Sequence, residues 1–361
     1  MGHSLVAFVI VLGVLIFFHE LGHFLVARFF GVGVETFSLG FGPKIYRKKI
    51  GLTEYCLSVI PLGGYVKMVG EDPASETSAE DRALSFTHKP LFQKSLIVAA
   101  GPIFNFVLAV LIFYLLFQIA GSYYVRPVVG AVADDSPALT AGVKPGDLIK
   151  AIDGKTVETW DDMVLLISKS NKSKSGAERL DFFINRNGQN LHIPIVPEQT
   201  TATNIFGETI KKPMVGISSA GDVVHERLNP IEAMGEAFVR TWEIIKLTIL
   251  SIGKIFTGSV SANTLGGPIM IAQMAGDQAR AGVANLAFFI AMLSINLGII
   301  NLFPVPVLDG GHLVFFGIEA ITGKPAGDRL REKANQFGMM LLLALMVFVF
   351  YNDILRIFYG E

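Results

Sequence analysis

The sequence predicts an α-helical membrane protein with four transmembrane helices, a membrane-associated β-region and one inserted α+β domain. Three observations predict it. Only 17% of the 361 residues are charged while 51% are hydrophobic; an average soluble domain carries roughly 25% charged residues. The mean hydropathy is +0.51. The apolar residues are gathered into runs of the length a helix needs to cross a bilayer, about 20 residues. The formal net charge of −1 gives no reason to expect nucleic acid as a partner. A single cysteine, Cys56, excludes an intrachain disulfide and a thiolate metal cluster, so any metal must be held by His and carboxylate.

The first span is expected within residues 1–33, as an apolar run over 4–30 interrupted by His19, Glu20 and His23. The run has no Lys or Arg before it and no small-residue cleavage site after it, so it reads as a retained span, not a signal peptide. Residues 34–90 form a loop. Its first half alternates short apolar runs with Gly40, Gly42, Gly51, Gly63 and Gly64, the pattern of a small twisted β-structure lying against the membrane. The stretch 71–81 is polar and reads as mobile. The second span fills 91–121.

Residues 122–200 read as the α+β domain, with a helical turn in SPALTAG, strands in LIKAI, LDFFINR and QNLHIPIV, and turns at Asp153-Gly154 and Asn187-Gly188. Residues 201–283 are a connector. Its stretch 231–256 is long enough to span but carries Glu232, Glu236, Arg240, Glu243, Lys246 and Lys254. Its apolar residues recur at helical spacing, so it reads as an amphipathic helix on the membrane surface. The third span lies in 284–312 and ends in NLFPVPVLDGGH. Residues 313–361 hold a basic loop and a fourth span over 337–351.

Orientation follows from loop charge. Nine Lys or Arg fall between Arg28 and Lys94 inclusive, and Lys324, Arg329, Arg331 and Lys333 form a second basic loop. Both loops are expected to be cytoplasmic and both termini extracytoplasmic.

His19-Glu20-Leu21-Gly22-His23 carries the chemistry. Residues four apart share one helix face, so His19 and His23 can grip one zinc ion, with Glu20 placed to accept a proton from the attacking water. Three ionisable groups in an apolar helix cost at least about 2.5 kcal/mol each at the bilayer centre, and a divalent cation compensates them. The alternative is a buried polar network joining helices. Zinc takes a third protein ligand, and Asp309 is the candidate. Pro304 and Pro306 break the helix before it, and broken backbone at membrane depth belongs beside a cavity or inside protein. The alternative for Asp309 is an ordinary Asp-Gly turn. A binding scaffold would have no use for Glu20 beside two histidines. A metal transporter would spread its acids and histidines over several spans.

HELGH in the first span, GFGP and LGGYVKM in the inner loop, GPIFN in the second span and NLFPVPVLDGGH together resemble the site-2 protease family of intramembrane zinc metalloproteases, over essentially the whole chain. The resemblance implies regulated intramembrane proteolysis of single-span membrane proteins such as anti-sigma factors, and of remnant signal peptides, by an enzyme of the bacterial inner membrane with the lipid bilayer as its solvent. It implies zinc held by His19, His23 and Asp309, with Glu20 catalytic. Asn301 matches the family asparagine that holds the substrate strand, and Gly63 and Gly64 match the β-region that pairs with substrate backbone. The α+β domain looks like a PDZ domain of the circularly permuted bacterial kind, carried by SPALTAGVKPGDLIKAIDG. The best-known relatives have two such domains in tandem; this chain shows one.

Overall fold

A computed structural model describes residues 2–71, 81–170, 179–204 and 207–359. Most of the expected mobile stretch 71–81 lies outside them. The chain folds as two compact units, one built from residues 1–116, 234–253 and 261–361, the other from 117–233 and 254–260.

The first unit opens with helix α1 (Gly2–Phe29). Apart from His19, Glu20 and His23 it is apolar nearly all round, the character of a helix long and apolar enough to cross a membrane. It stops where Gly31 takes φ 67 and Val32 N–H reaches back to Ala27 O at 2.8 Å, which satisfies a last-turn carbonyl. Strands β1 (Val34–Ile50) and β2 (Thr53–Met68) follow. Each is folded so that it is used twice. Segment 36–39 is matched on one side to 54–57 and on the other to 64–67, while 44–50 pairs with 53–58. The two edges of this small sheet are therefore 44–50 and 64–67. Helix α2 (Leu91–Ala120) carries Pro102 inside it.

The second unit starts with β3 (Ser122–Val125), β4 (Val129–Val132), the turn-length helix α3 (Pro137–Thr140), β5 (Leu148–Ile152) and β6 (Lys155–Thr156). Helix α4 (Trp160–Lys169) begins at a reciprocal cap between Thr159 and Asp162. Strands β7 (Leu180–Arg186) and β8 (Gln189–Ile195) complete a four-stranded sheet in the order β6-β5-β7-β8. Asn187 and Gly188, both at positive φ, turn the chain between them. Ile149, Met163, Phe182, Ile184 and Ile195 form the dry core. Beneath it, Arg186 makes a two-pronged contact of 2.6 and 2.7 Å to the fully buried Asp147.

The unit does not end near residue 200, as the sequence led us to expect. Strands β9 (Glu198–Thr203) and β10 (Thr209–Met214) form a hairpin, β11 (Ile217–Ser219) pairs with β4, and β12 (Val223–Glu226) pairs with β3. The early strands need these late partners for their backbone groups, and such non-local pairing leaves no periodic mark in the sequence.

Helix α5 (Pro230–Phe256) keeps its six charged residues and is not apolar enough to cross a membrane. Helix α6 (Pro268–Ala281) was not foreseen. At 14 residues, with Gln273, Asp277, Gln278 and Arg280, it carries no span signal, yet Ala275 is buried with Ala7 and Val11 of α1. Helix α7 (Val283–Asn301) stops ahead of Pro304 and Pro306, where the sequence predicts a break, and Asp309 opens a separate helix, α8 (Asp309–Thr322). The last helix, α9 (Asp328–Tyr359), is longer than the expected 337–351. It tolerates the buried Asp353 because that carboxylate accepts three N–H groups at the start of α6, from Gly267, Ile269 and Met270 at 2.9, 2.9 and 3.1 Å. Among the described residues four helices, in α1, α2, α7 and α9, are long and apolar enough to cross a membrane.

Candidate metal centre and active site

His19 and His23 stand one turn apart on α1, and Asp309 faces them from the first turn of α8. His19 Nε2 lies 3.3 Å from Asp309 Oδ2, His23 Nε2 lies 3.6 Å from Asp309 Oδ1, and the two Nε2 atoms are 3.4 Å apart. With zinc–nitrogen and zinc–oxygen bonds of about 2.0–2.2 Å, the edge of a tetrahedral site is about 3.3–3.5 Å. The two imidazole nitrogens and the Asp309 carboxylate, which meets each ring with a different oxygen, thus lie close enough together to share one zinc ion. Asp309 Oδ2 is buried and has no hydrogen-bond donor, which a metal ion would remedy. These are the only three such residues among those described whose ligand atoms lie close enough to hold a metal together.

Each of these side chains is aimed by its surroundings. His23 Nδ1–H donates to Ile97 O at 2.9 Å, so the lone pair of Nε2 is left for the shared position. His19 Nδ1 is 3.2 Å from the amide of the fully buried Asn105, whose Oδ1 has no partner. Turning that amide so that Oδ1 meets His19 Nδ1–H satisfies the orphan oxygen and frees the Nε2 of His19 as well. Ser294 of α7 donates to Asn105 O at 2.7 Å. Asn301 is also against His19, its Nδ2 at 3.5 Å from both ring nitrogens.

Glycines make the arrangement possible. A Cβ on Gly101 would stand on His23 Nε2 and only 2.8 Å from His19 Cε1. Sequence reading missed Gly101, although it begins GPIFN. Gly310 and Gly311 let α8 start directly against the carbonyls of Leu302, Phe303 and Val305, which sets Asp309 in place. Val307 is held at φ 92 just before it, a position that costs a β-branched residue of order 1–3 kcal/mol.

Glu20 is buried beside the ligands. A cavity of about 890 Å³ is lined by His19, Glu20, His23 and Asp309, and also by Gly64, Tyr65, Val66 and Met68 of β2. That stretch is the outer edge of the small sheet. A Cβ on Gly64 would come within 2.9 Å of Glu20 Cγ and 2.8 Å of Ser38 O, so only glycine lets the edge strand pass this close to the carboxylate. Gly63 instead packs against the Phe41 ring. His312, one turn beyond Asp309, lines the same cavity.

Residues 7–345 match the family described as Peptidase family M50. A protein of Agrobacterium fabrum named "Putative zinc metalloprotease Atu1380" is 42% identical to this chain, over 97% of it and 95% of its own length. The "Regulator of sigma-E protease RseP" of Escherichia coli is 35% identical, over 98% of this chain and 99% of its own length. The chain belongs to peptidase family M50.

As an M50 member it is a zinc-dependent metalloprotease of regulated intramembrane proteolysis, and a membrane protein. The alignment of this M50 chain with the E. coli relative runs over 448 positions, more than its own 361 residues, so that relative carries residues with no counterpart here. Among solved structures, the PDZ domain of an SdrC-like protein from Listeria monocytogenes is 24% identical, over 27% of this chain and 88% of that one, with a TM-score of 0.20.

Proposed function

We propose that His19, His23 and Asp309 hold the zinc ion and that Glu20 handles the proton in hydrolysis of a peptide bond inside a membrane-spanning segment of another protein. The observation that carries this reading is the pair of imidazole nitrogens 3.4 Å apart with the Asp309 carboxylate 3.3 and 3.6 Å from them, one oxygen to each, and Glu20 beside them in one cavity. Bound zinc supplies Lewis acidity, polarising the scissile carbonyl and acidifying the attacking water. Glu20 accepts the proton of that water as its oxygen bonds to the carbonyl carbon, and returns it to the amide nitrogen as the carbon–nitrogen bond breaks. A helical substrate hides its amides in internal hydrogen bonds, so it must unwind. The edge at 64–67 offers backbone groups to the unwound strand, Gly64 keeps that strand near Glu20, and Asn301, against His19, holds it.

The substrates in this reading are single-span proteins of the anti-sigma factor type and remnant signal peptides, in keeping with the sigma-E regulator among the relatives. The enzyme is a four-span protein of the bacterial inner membrane with both termini extracytoplasmic, as the basic loops favour. Its inserted domain is a single extracytoplasmic PDZ domain, supported by the order of strands and helices from β4 to β8, and α5 lies on the membrane surface.

Asp309 is the ligand least dictated by sequence, so it tests the assignment. Asp309→Ala is expected to lower zinc affinity by at least about 10–100-fold, the range for lost support of a metal site, as read by metal content after dialysis. In a Cys56→Ala background, cysteines at positions 19 and 309 are expected to crosslink in membranes. Full zinc retention by Asp309→Ala, or no crosslink, would remove Asp309 from the site.

A further inference from the structure

The sheet edge opposite the cavity, segment 44–50, has no role in the chemistry above. Its apolar side chains stand out in the open: Ile45, Tyr46 and Ile50 are 66%, 60% and 59% exposed. Between them lie Arg47, Lys48 and Lys49, all exposed. Among the described residues Lys44 is taken by Glu54, but no carboxylate lies within ion-pair distance of Arg47, Lys48 or Lys49. Strand alternation sets Tyr46, Lys48 and Ile50 on one face and Ile45, Arg47 and Lys49 on the other. Each face of the hairpin therefore mixes apolar bodies with cations.

In water this is an unfavourable edge, because an apolar, unpaired strand invites pairing with other chains. At a bilayer interface the same composition is satisfied on both counts. The aliphatic and aromatic groups enter the acyl boundary, and the long cationic stems reach up to phosphate oxygens. We propose that the tip of the β1–β2 hairpin is a docking site for anionic phospholipid headgroups, bound by Arg47, Lys48 and Lys49. The inference rests on the proposed cytoplasmic placement of this loop. Three cations of which none is held in a contact ion pair, with Glu54 across the strand from Lys49 engaged by Lys44, choose anionic over zwitterionic headgroups, each contributing roughly fivefold to the preference. The lipid thereby holds one edge of the sheet whose other edge borders Glu20.

The test uses the full chain with Cys56→Ala and a nitroxide on Ile45→Cys. It is reconstituted in vesicles of phosphatidylcholine alone or mixed with phosphatidylglycerol. The label is expected to be shielded from a water-soluble nickel reagent in the anionic vesicles and open to it in the zwitterionic ones. Arg47→Gln/Lys48→Gln/Lys49→Gln should shift the tip–lipid equilibrium toward water by about a hundredfold, while Lys48→Arg/Lys49→Arg should keep it. Equal shielding in both lipids, or unchanged shielding in the triple Gln variant, would overturn the proposal. Zinc content of the same samples separates the two readings: lipid-dependent shielding without zinc retention defeats the metal site and leaves the lipid site standing.

Discussion

Glu20→Gln is expected to stop peptide cleavage and keep the zinc. The substitution preserves size and removes the carboxylate nearest the proposed zinc, so turnover should fall by about 10³- to 10⁴-fold, the upper range for a general acid–base group. None of the three donor atoms changes, and the isolated protein should still carry one zinc per chain. The pair of readings separates a catalytic role from a structural one. Parallel loss of zinc and activity would make Glu20 a support of the site, and full activity would exclude it from the mechanism.

The second large effect is expected from a residue that touches no substrate. Gly101→Ala puts a methyl group on His23 Nε2 and within 2.8 Å of His19 Cε1. Both rings face buried neighbours and cannot swing away together without giving up Ile97 O and Asn105. Zinc affinity should drop about 100-fold or more, and activity with it. Gly13→Ala on the same membrane unit is the control, since a Cβ there meets nothing within 4 Å. Competition for zinc with a chromophoric chelator measures both variants. Equal affinities would show that the histidines are not confined by α2.

Much of this site was legible in the sequence because it is local. His19, Glu20 and His23 fall on one helix, and helical spacing alone brings the two imidazoles together. Asp309 is 286 residues beyond His23 in the numbering, yet the prolines before it mark broken backbone, and broken backbone in an apolar setting has few places to be. What escaped was set by packing. Gly101 is one small residue in an apolar helix, and only the approach of α1 gives it meaning. Asp353 looks like the end of a span until the start of α6 is seen to lie on it. Helix α6 is too short and too polar to announce itself, and Asp309 begins a new helix because Gly310 and Gly311 allow the chain to turn back on itself. The strands β11 and β12 find their partners about a hundred residues earlier, from 217–226 back to 122–132, and pairing at that distance is specified by tertiary fit.

Hydrolysis of a membrane-spanning segment in this cavity is expected to depend on zinc. The most direct test is purified protein incubated with a single-span substrate, with and without a zinc chelator, and with zinc added back. Cleavage inside the span, lost with the chelator, restored by zinc and absent from His23→Ala under every condition, is the predicted result. Cleavage that survives chelation, or that persists in His23→Ala, would contradict it.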